Sequence, residues 1–309
     1  MNNLNKYAFI INPVAGKIKK LNAARLIEEH SKLFDVSVKI FFTSTSGHAI
    51  KLSNELTSSN EYNTIVAVGG DGTVNEVVNG FNLDSDCRLG VLPWGSGNDV
   101  ARFLYPSNTK NYLDILFEEK LQTIAEINVG NCKITQDDET IVQKRFINAV
   151  GIGFDAYVAY LNQFEKKFSG ILSYLVAVMR GLKSLETLEP KIFLNGQVLE
   201  GKYLLLTIGN GKTSGGGFYL NPDANPTDGI LNLTTVDMTG KIEIMKNLPY
   251  ALINKLKLVK KAKFYEDDEF KIILKNPYYV HLDGEIGSKS AKEFNIRLLQ
   301  KSIKIIKSK

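Results

Sequence analysis

Apolar residues alternate with polar ones at Val36, Val38, Ile40 and Phe42, the period of a half-buried strand, and the chain then changes to helical spacing at Ala49, Leu52, Ser53 and Leu56. The same succession recurs. Tyr7-Ala8-Phe9-Ile10-Ile11 reads as a strand followed by a helix with an apolar face of Ala23, Leu26, Ile27, His30 and Phe34. Ile65-Val66-Ala67-Val68 is a continuous apolar run of the buried-strand type, and the short strand Leu89-Gly90-Val91-Leu92 leads to the helical run Val100-Ala101-Arg102-Phe103-Leu104. Four successive strand–helix units predict an α/β fold with a parallel, doubly wound sheet. Beyond about Glu119 the pattern becomes one of short strands separated by turn signals such as Asn195-Gly196, Asn276-Pro277 and Asp283-Gly284. One helical interruption is expected over residues 172–185, and the last apolar runs, 294–299 and 302–306, read as strand. A β-rich second domain follows, with boundaries expected at 1–122 and 123–296.

Three of the strand-to-helix turns have a composition suited to phosphate. Gly69-Gly70-Asp71-Gly72-Thr73 lets the backbone approach a ligand closely, and the N–H groups at the next helix start favour an anion. Asp71 repels a phosphate, so its place there makes sense if it meets a metal ion or takes a proton; a plain turn that uses Gly and Asp for their backbone tolerance is the bland alternative. Asn12-Pro13-Val14-Ala15-Gly16-Lys17 and Pro93-Trp94-Gly95-Ser96-Gly97-Asn98-Asp99 deliver further small residues to helix starts; Ser96 offers a hydroxyl, and Asn98 or Asp99 a helix cap. All three turns fall at the carboxyl ends of strands, where ligands of such sheets sit. Two look-alikes fail. Gly211-Lys212-Thr213 lacks the first glycine of a P-loop, since Leu206 stands there, and Gly151-x-Gly153-x-x-Ala156, after a strand expected over 146–150, has no acidic strand end about twenty residues on.

The ordered set resembles the catalytic domain of the diacylglycerol kinase family, in its bacterial branch without regulatory modules. The resemblance rests on Asn12-Pro13-x-Ala15-Gly16-Lys17, Thr43 with Gly47-His48-Ala49, Gly69 to Thr73 followed by Asn75-Glu76-Val77-Val78-Asn79-Gly80, and Gly95-Ser96-Gly97-Asn98-Asp99-x-Ala101-Arg102. It continues through Asn148 to Asp155, Gly209-Asn210-Gly211, Gly215-Gly216-Gly217, Asp228-Gly229-Ile230-Leu231 and Leu282-Asp283-Gly284-Glu285. It implies an ATP-dependent lipid kinase with its nucleotide in an interdomain cleft, giving phosphatidic acid or a similar phospholipid. By position Asn12, Pro13, Val14, Ala15, Gly16, Thr43, Gly70, Asp71, Gly72, Thr73, Val74, Asn75, Glu76 and Ser96 would bind ATP. The family's Mg2+ site would fall on Asp228 with the carbonyls of Asn225 and Ile230, and its proton acceptor on Asp283 or Glu285, with Asp71 as a further catalytic carboxylate. Serine at 96, where bacterial members commonly carry threonine, keeps the hydroxyl. The terminal segment 297–309 would pack back on the first domain.

Composition adjusts this picture at its edges. With 44% hydrophobic residues in 309 there is material for two moderate cores. Cys87 and Cys132 are isolated, which argues against a disulfide framework and for a cytoplasmic protein; His30, His48 and His281 have no ligand or triad spacing and read as structural. The longest apolar run, residues 171–179, is far short of the roughly 20 needed to span a bilayer, so a lipid substrate would be met by transient peripheral association with the membrane surface. Lysines at 255, 257, 260, 261 and 263, interleaved with apolar residues from 252 to 259, suggest a basic amphipathic helix for that encounter, or simply a surface helix. The net charge of +5 is spread among acidic runs with no recognition motif, so nucleic acid is not expected as a partner; a homodimer is allowed. Two alternatives stand beside the lipid kinase: an NAD kinase-like enzyme with a soluble substrate, and a catalytically silent lipid- or nucleotide-binding regulator.

Overall fold

Four parallel strands, β1 (Lys6–Ile11), β2 (Ser37–Phe42), β3 (Thr64–Gly69) and β4 (Arg88–Pro93), lie in the order β4-β3-β1-β2 in the computed structural model. The structure describes residues 5–15, 20–164 and 171–309. They fall into two units, one comprising the chain to Ile127 with Lys301–Lys309, the other Asn128–Gln300. In the first, helices α1 (Lys20–Ser31), α2 (His48–Ser58), α3 (Asp71–Gly80) and α4 (Asp99–Leu104) follow the four strands in turn, and α5 (Tyr112–Phe117) precedes β5 (Gln122–Gln136). β1 and β3 are buried along almost their whole length, as continuous apolar runs require when helices cover both faces of a sheet. Tyr7 and Phe9 on one face of β1 meet Phe117 of α5, whose ring also stacks with His30 of α1; α2 and α3 pack together, with the Ser53 hydroxyl donating to the Val77 carbonyl at 2.7 Å. On the outside of β4, Ile305 pairs in parallel with Leu89.

The second unit is an antiparallel sheet with strands β6 (Ile141–Phe146), β7 (Ala149–Gly153), β8 (Pro190–Leu194), β9 (Gln197–Glu200), β10 (Tyr203–Gly209), β11 (Leu231–Asp237), β12 (Ala262–Asp267), β13 (Glu269–Leu282) and β14 (Glu285–Ser308). The order is β12-β11-β10-β7-β13-β14, with β8 and β9 added on β13. Helices α6 (Phe154–Asn162), α7 (Ile171–Gly181) and α8 (Lys241–Leu252) cover one face. Successive side chains of β10 explain its full burial: Leu206 and Ile208 join a core with Phe270, Phe294 and Ile296, while Leu205 joins the helices' core with Val158, Val178 and Ile244.

Several expectations need correction. The strand expected over 146–150 is broken at Ile147 and Asn148, because their N–H groups leave the ladder for the carboxylate of Asp283. Among the described residues the second unit holds three helices rather than one: Phe154, Val158 and Leu161, and likewise Ile244, Leu248 and Ala251, have helical spacing that short turn signals obscured. The basic amphipathic helix over 252–263 does not form. α8 ends at Leu252, Asn254 adopts φ +55°, and a single 3-10 turn over Leu256–Leu258 leads into β12. Leu256 and Val259 are buried, and three of the five lysines serve the unit itself, Lys257 pairing with Asp223 at 2.6 Å, Lys263 with Asp237 at 3.2 Å and Lys261 with Glu243 at 3.5 Å.

Several polar groups in the two interiors are satisfied in ways that set local geometry. α2 starts on Gly47 with no cap from its own side chains, and Glu76 of α3 supplies one, accepting from the N–H groups of Gly47 at 2.9 Å and Ala49 at 3.2 Å. In the second unit His281 of β13 faces Gly151 of β7, and only glycine leaves room there: a Cβ would lie 2.3 Å from both His281 Nε2 and an Asp155 oxygen. His281 Nδ1 accepts the Gly284 N–H at 3.2 Å, so its proton resides on Nε2 and is donated to Asp155 at 2.8 Å. Burial pushes the Asp155 carboxyl up, but His281 and the Tyr174 hydroxyl, 2.5 Å away, outweigh it and hold the group below its ordinary range.

Two measurements follow. Glu76→Gln is expected to lower stability by about 1 kcal/mol, the usual value of a helix N-cap, in urea denaturation; an unchanged midpoint would remove the capping role. A lowered folded-state pKa means that the stability contributed by Asp155 is present above the unfolded carboxylate value of about 3.9 and is lost as pH falls through the folded one. Asp155→Asn should therefore be less stable than wild type near neutrality and show a shallower loss of stability on acidification below about pH 4. Parallel stability curves for the two proteins would show that the carboxylate does not ionise in the folded state as described.

Candidate functional site

At the carboxyl ends of the four parallel strands of the first unit the three glycine turns are joined to one another. The Asn12 N–H bonds the Val68 carbonyl at 3.1 Å and its side-chain amide reaches the Thr73 hydroxyl at 3.4 Å; Thr43 N–H bonds the Ile11 carbonyl at 2.9 Å. Asn12 Oδ1 accepts from Val14 N–H at 3.1 Å, closing a tight turn that leaves Val14 projecting into solvent, 87% exposed. The turns after β3 and β4 meet backbone to backbone: a Cβ on Gly95 would sit 2.1 Å from the Cα of Gly70. Asn98, at φ +54°, holds the Gly95 turn through both ends of its amide, accepting from Gly95 N–H and donating to the carbonyls of Pro93 and Gly95. α3 starts on Gly70 without a side-chain cap, so its first amides can meet an anion.

The residues expected to bind nucleotide divide accordingly. Asn12, Pro13, Val14, Ala15, Thr43, Gly70, Gly72, Thr73 and Ser96 lie at these strand ends, with Ser96 exposed on the tip of its turn. Gly16 lies outside the described residues. Val74 is in the core, Asn75 is buried and takes a bond from the Asn79 amide, and the Glu76 carboxylate is turned toward α2. Asp71 reaches from one turn to the next: its Oδ1 accepts the Val100 N–H at 3.4 Å. The cap of α4 expected from Asn98 or Asp99 is thus supplied by Asp71, since the αL conformation of Asn98 directs its amide back to its own turn.

In the second unit a hydrogen-bonded lattice connects the loop of Asp228 to the turn of Asp283. The Asn225-to-Ile230 loop folds on itself, with Asp228 Oδ1 accepting Ile230 N–H at 3.0 Å and Asn225 Oδ1 accepting the Thr227 hydroxyl at 2.9 Å. Asn128 fixes it from outside, donating its N–H to the Pro226 carbonyl at 2.6 Å and accepting Gly229 N–H at 2.9 Å. The Asn210 amide bonds the carbonyls of Asn128 and Ile147, and the carboxylate of Asp283 accepts three consecutive N–H groups, from Ile147 at 3.1 Å, Asn148 at 2.9 Å and Ala149 at 2.9 Å. Asp283 is 4% exposed and at φ +50°; its own N–H returns to the Ala149 carbonyl at 2.8 Å. Glu285, two residues on, is exposed. The two carboxylates that sequence could not rank are therefore unlike in burial.

Asn128 and the Asp155–His281 pair were missed as organising residues. Asn128 is an isolated polar residue within strand β5 and gives no local signal, while Asp155 and His281 are 126 positions apart and meet only through the pairing of β7 with β13. Asp228, with the backbone oxygens of Asn225 and Ile230, offers hard oxygen donors on an exposed turn, a set that suits Mg2+, which is usually held by one or two carboxylates and keeps several waters. Among the described residues no cluster of three or more His, Cys, Asp or Glu side chains forms an alternative metal site. Cys87 and Cys132 are buried, and burial pushes both thiols up, which makes them poor nucleophiles.

The two units match two family models, the diacylglycerol kinase catalytic domain over residues 6–129 and the YegS C-terminal NAD kinase β-sandwich-like domain over residues 148–306. The diacylglycerol kinase of Bacillus subtilis (strain 168) is 27% identical over 299 residues, covering 94% of this chain and 93% of its own. A solved structure of a diacylglycerol kinase from Bacillus anthracis str. Sterne superposes with a TM-score of 0.70 over 99% of this chain and 98% of the other, at 22% identity. Yeast NADH kinase shares the fold more distantly, with a TM-score of 0.57 at 12% identity over 100% of this chain and 85% of the other. A parallel sheet with phosphate-type turns, followed in order by the β-rich unit with its Asp-Gly and Asp-Gly-Glu turns, accounts for both matches, and the chain belongs to the bacterial diacylglycerol kinase and lipid kinase family.

Proposed function

We propose that this kinase transfers the γ-phosphate of Mg-ATP to a hydroxyl of diacylglycerol or a related lipid, giving phosphatidic acid or a similar phospholipid. The observation that carries the nucleotide half of this reading is the junction of the Asn12, Gly70 and Gly95 turns beside the uncapped start of α3. Backbone amides and small residues gathered at neighbouring strand ends are what a polyphosphate needs. The lipid half is supported by likeness to the relative named diacylglycerol kinase.

Phosphoryl transfer asks the protein for positioning and charge neutralisation more than for covalent chemistry. Asp228 and the carbonyls of Asn225 and Ile230 would hold Mg2+, which when bound neutralises phosphate charge. Asp71 contributes by fixing the start of α4 against the Gly70 turn. Asp283 and Glu285 take different parts. Three N–H donors occupy both oxygens of the buried Asp283, so it acts as the anchor of its turn. Glu285, exposed on that turn, is the better acceptor for the proton leaving the lipid hydroxyl.

The direct test is transfer of labelled γ-phosphate from Mg-ATP to detergent-dispersed diacylglycerol and other hydroxylated lipids, with NAD in a parallel reaction. Labelled lipid is the expected product. Labelled NAD would support the soluble-substrate reading that the NADH kinase fold suggests, and no product from either would favour a nucleotide- or lipid-binding regulator.

The two carboxylates are separated by substitution. Glu285→Gln should lower kcat by on the order of a hundredfold to ten-thousandfold with stability changed by less than about 0.5 kcal/mol. Asp283→Asn should lose about 1–3 kcal/mol of stability, because it sets an amide N–H2 against backbone donors. Full activity of Glu285→Gln, or an Asp283→Asn protein as stable as wild type, would reverse the assignment.

A further inference from the structure

α8 buries Ile244 and Ala251 against the second unit's core, yet its opposite side is also apolar. Ile242, Met245 and Pro249, with Ile253 at the C-cap, are spaced by three, four and four residues and so form one stripe, and all four are exposed, Ile242 to 75% and Ile253 to 60%. The stripe continues across a groove to α7, where Met179 is 53% exposed and Leu182 forms the floor. Three lysines, Lys183, Lys241 and Lys246, border this groove, and among the described residues no carboxylate lines it. The nearest acid on the helix, Glu243, is engaged with the Thr239 hydroxyl and with Lys261 at 3.5 Å. An apolar stripe of this kind has no role inside the unit, and lysines around it are the arrangement of a helix that lies in a membrane interface.

We infer that the α7–α8 face docks on the surface of an anionic lipid bilayer, with Ile242, Met245 and Met179 entering the headgroup boundary and the three lysines meeting lipid phosphates. The inference rests on the lipid acceptor proposed above and names where the protein meets the surface that holds such an acceptor. Charge selects this occupant over a second copy of the chain. A two-fold contact through the same face would bring lysines against lysines, with no carboxylate among the groove's described residues to offset them.

The test uses the full chain and vesicles of phosphatidylcholine alone or mixed with phosphatidylglycerol, with binding read by co-sedimentation at low and high salt. Binding is expected to the phosphatidylglycerol vesicles and to weaken with salt. Removing lysines by Lys183→Gln, Lys241→Gln and Lys246→Gln should cost about fivefold in affinity for each, and Ile242→Ser with Met245→Ser should abolish what remains at high salt. All five side chains line an open groove, so circular dichroism and urea midpoints should match wild type. Phosphorylation of a short-chain diacylglycerol dispersed as monomers should be unchanged in the variants. Wild-type affinity in both variants, no vesicle binding by wild type, or a self-association that Ile242→Ser with Met245→Ser disrupts would overturn the docking face. Vesicle binding lost in the variants while no lipid is phosphorylated by any of the proteins would keep the face and remove the lipid acceptor instead.

Discussion

One buried carboxylate organises the second unit. Asp283 closes the turn between β13 and β14 and accepts three consecutive N–H groups from the break between β6 and β7. Ile147 and Asn148 lie outside the strands where the chain bends, and an unpaired buried N–H costs about 1–3 kcal/mol, so the bend depends on the acid. The bend in turn presents the carbonyl of Ile147 to Asn210, which holds Asn128, which holds the loop of Asp228. On the other side of the turn, Gly284 donates to His281 and His281 to Asp155. Distant parts of the chain are thereby fixed by short, directional bonds, and the loop with oxygen donors inherits its shape from a residue that need not touch a ligand.

The first unit reaches a comparable rigidity by a different route. Its turns are placed by parallel strand pairing and tightened by backbone contact, with Gly95 against Gly70, and its acidic residues tie helix starts rather than bend the chain: Asp71 for α4, Glu76 for α2. Carboxylates at helix N-termini fit the partial positive charge there. Leaving the start of α3 uncapped among capped neighbours is the asymmetry that suits a phosphate.

Much of this was legible in the chain, and the limits are physical. Alternation in Val36 to Phe42 and the apolar run Ile65 to Val68 report burial directly, which is why the parallel sheet could be read from period and its turns from their small residues. Period also misled. Lysines and leucines between 252 and 263 have helical spacing, but Asn254 takes a left-handed conformation and three of the lysines find Asp223, Asp237 and Glu243, acids remote in sequence. The exposed apolar stripe lies one element earlier, on α8, where Pro249 and the turn signals hid the helix. Candidate site residues were identifiable by type, whereas their roles depended on partners: nothing near Glu76 announces a cap for α2, and nothing near Asp283 announces that Ile147 to Ala149 will claim its oxygens.

Amide hydrogen exchange at Ile147, Asn148 and Ala149 tests the central claim most directly, because these three positions lie partly outside the ladder and are protected only if the Asp283 carboxylate holds them. Exchange as slow as that of the amides of β10, lost only when the whole unit opens, is the predicted result. Exchange of all three at the rate of an exposed loop would contradict the account.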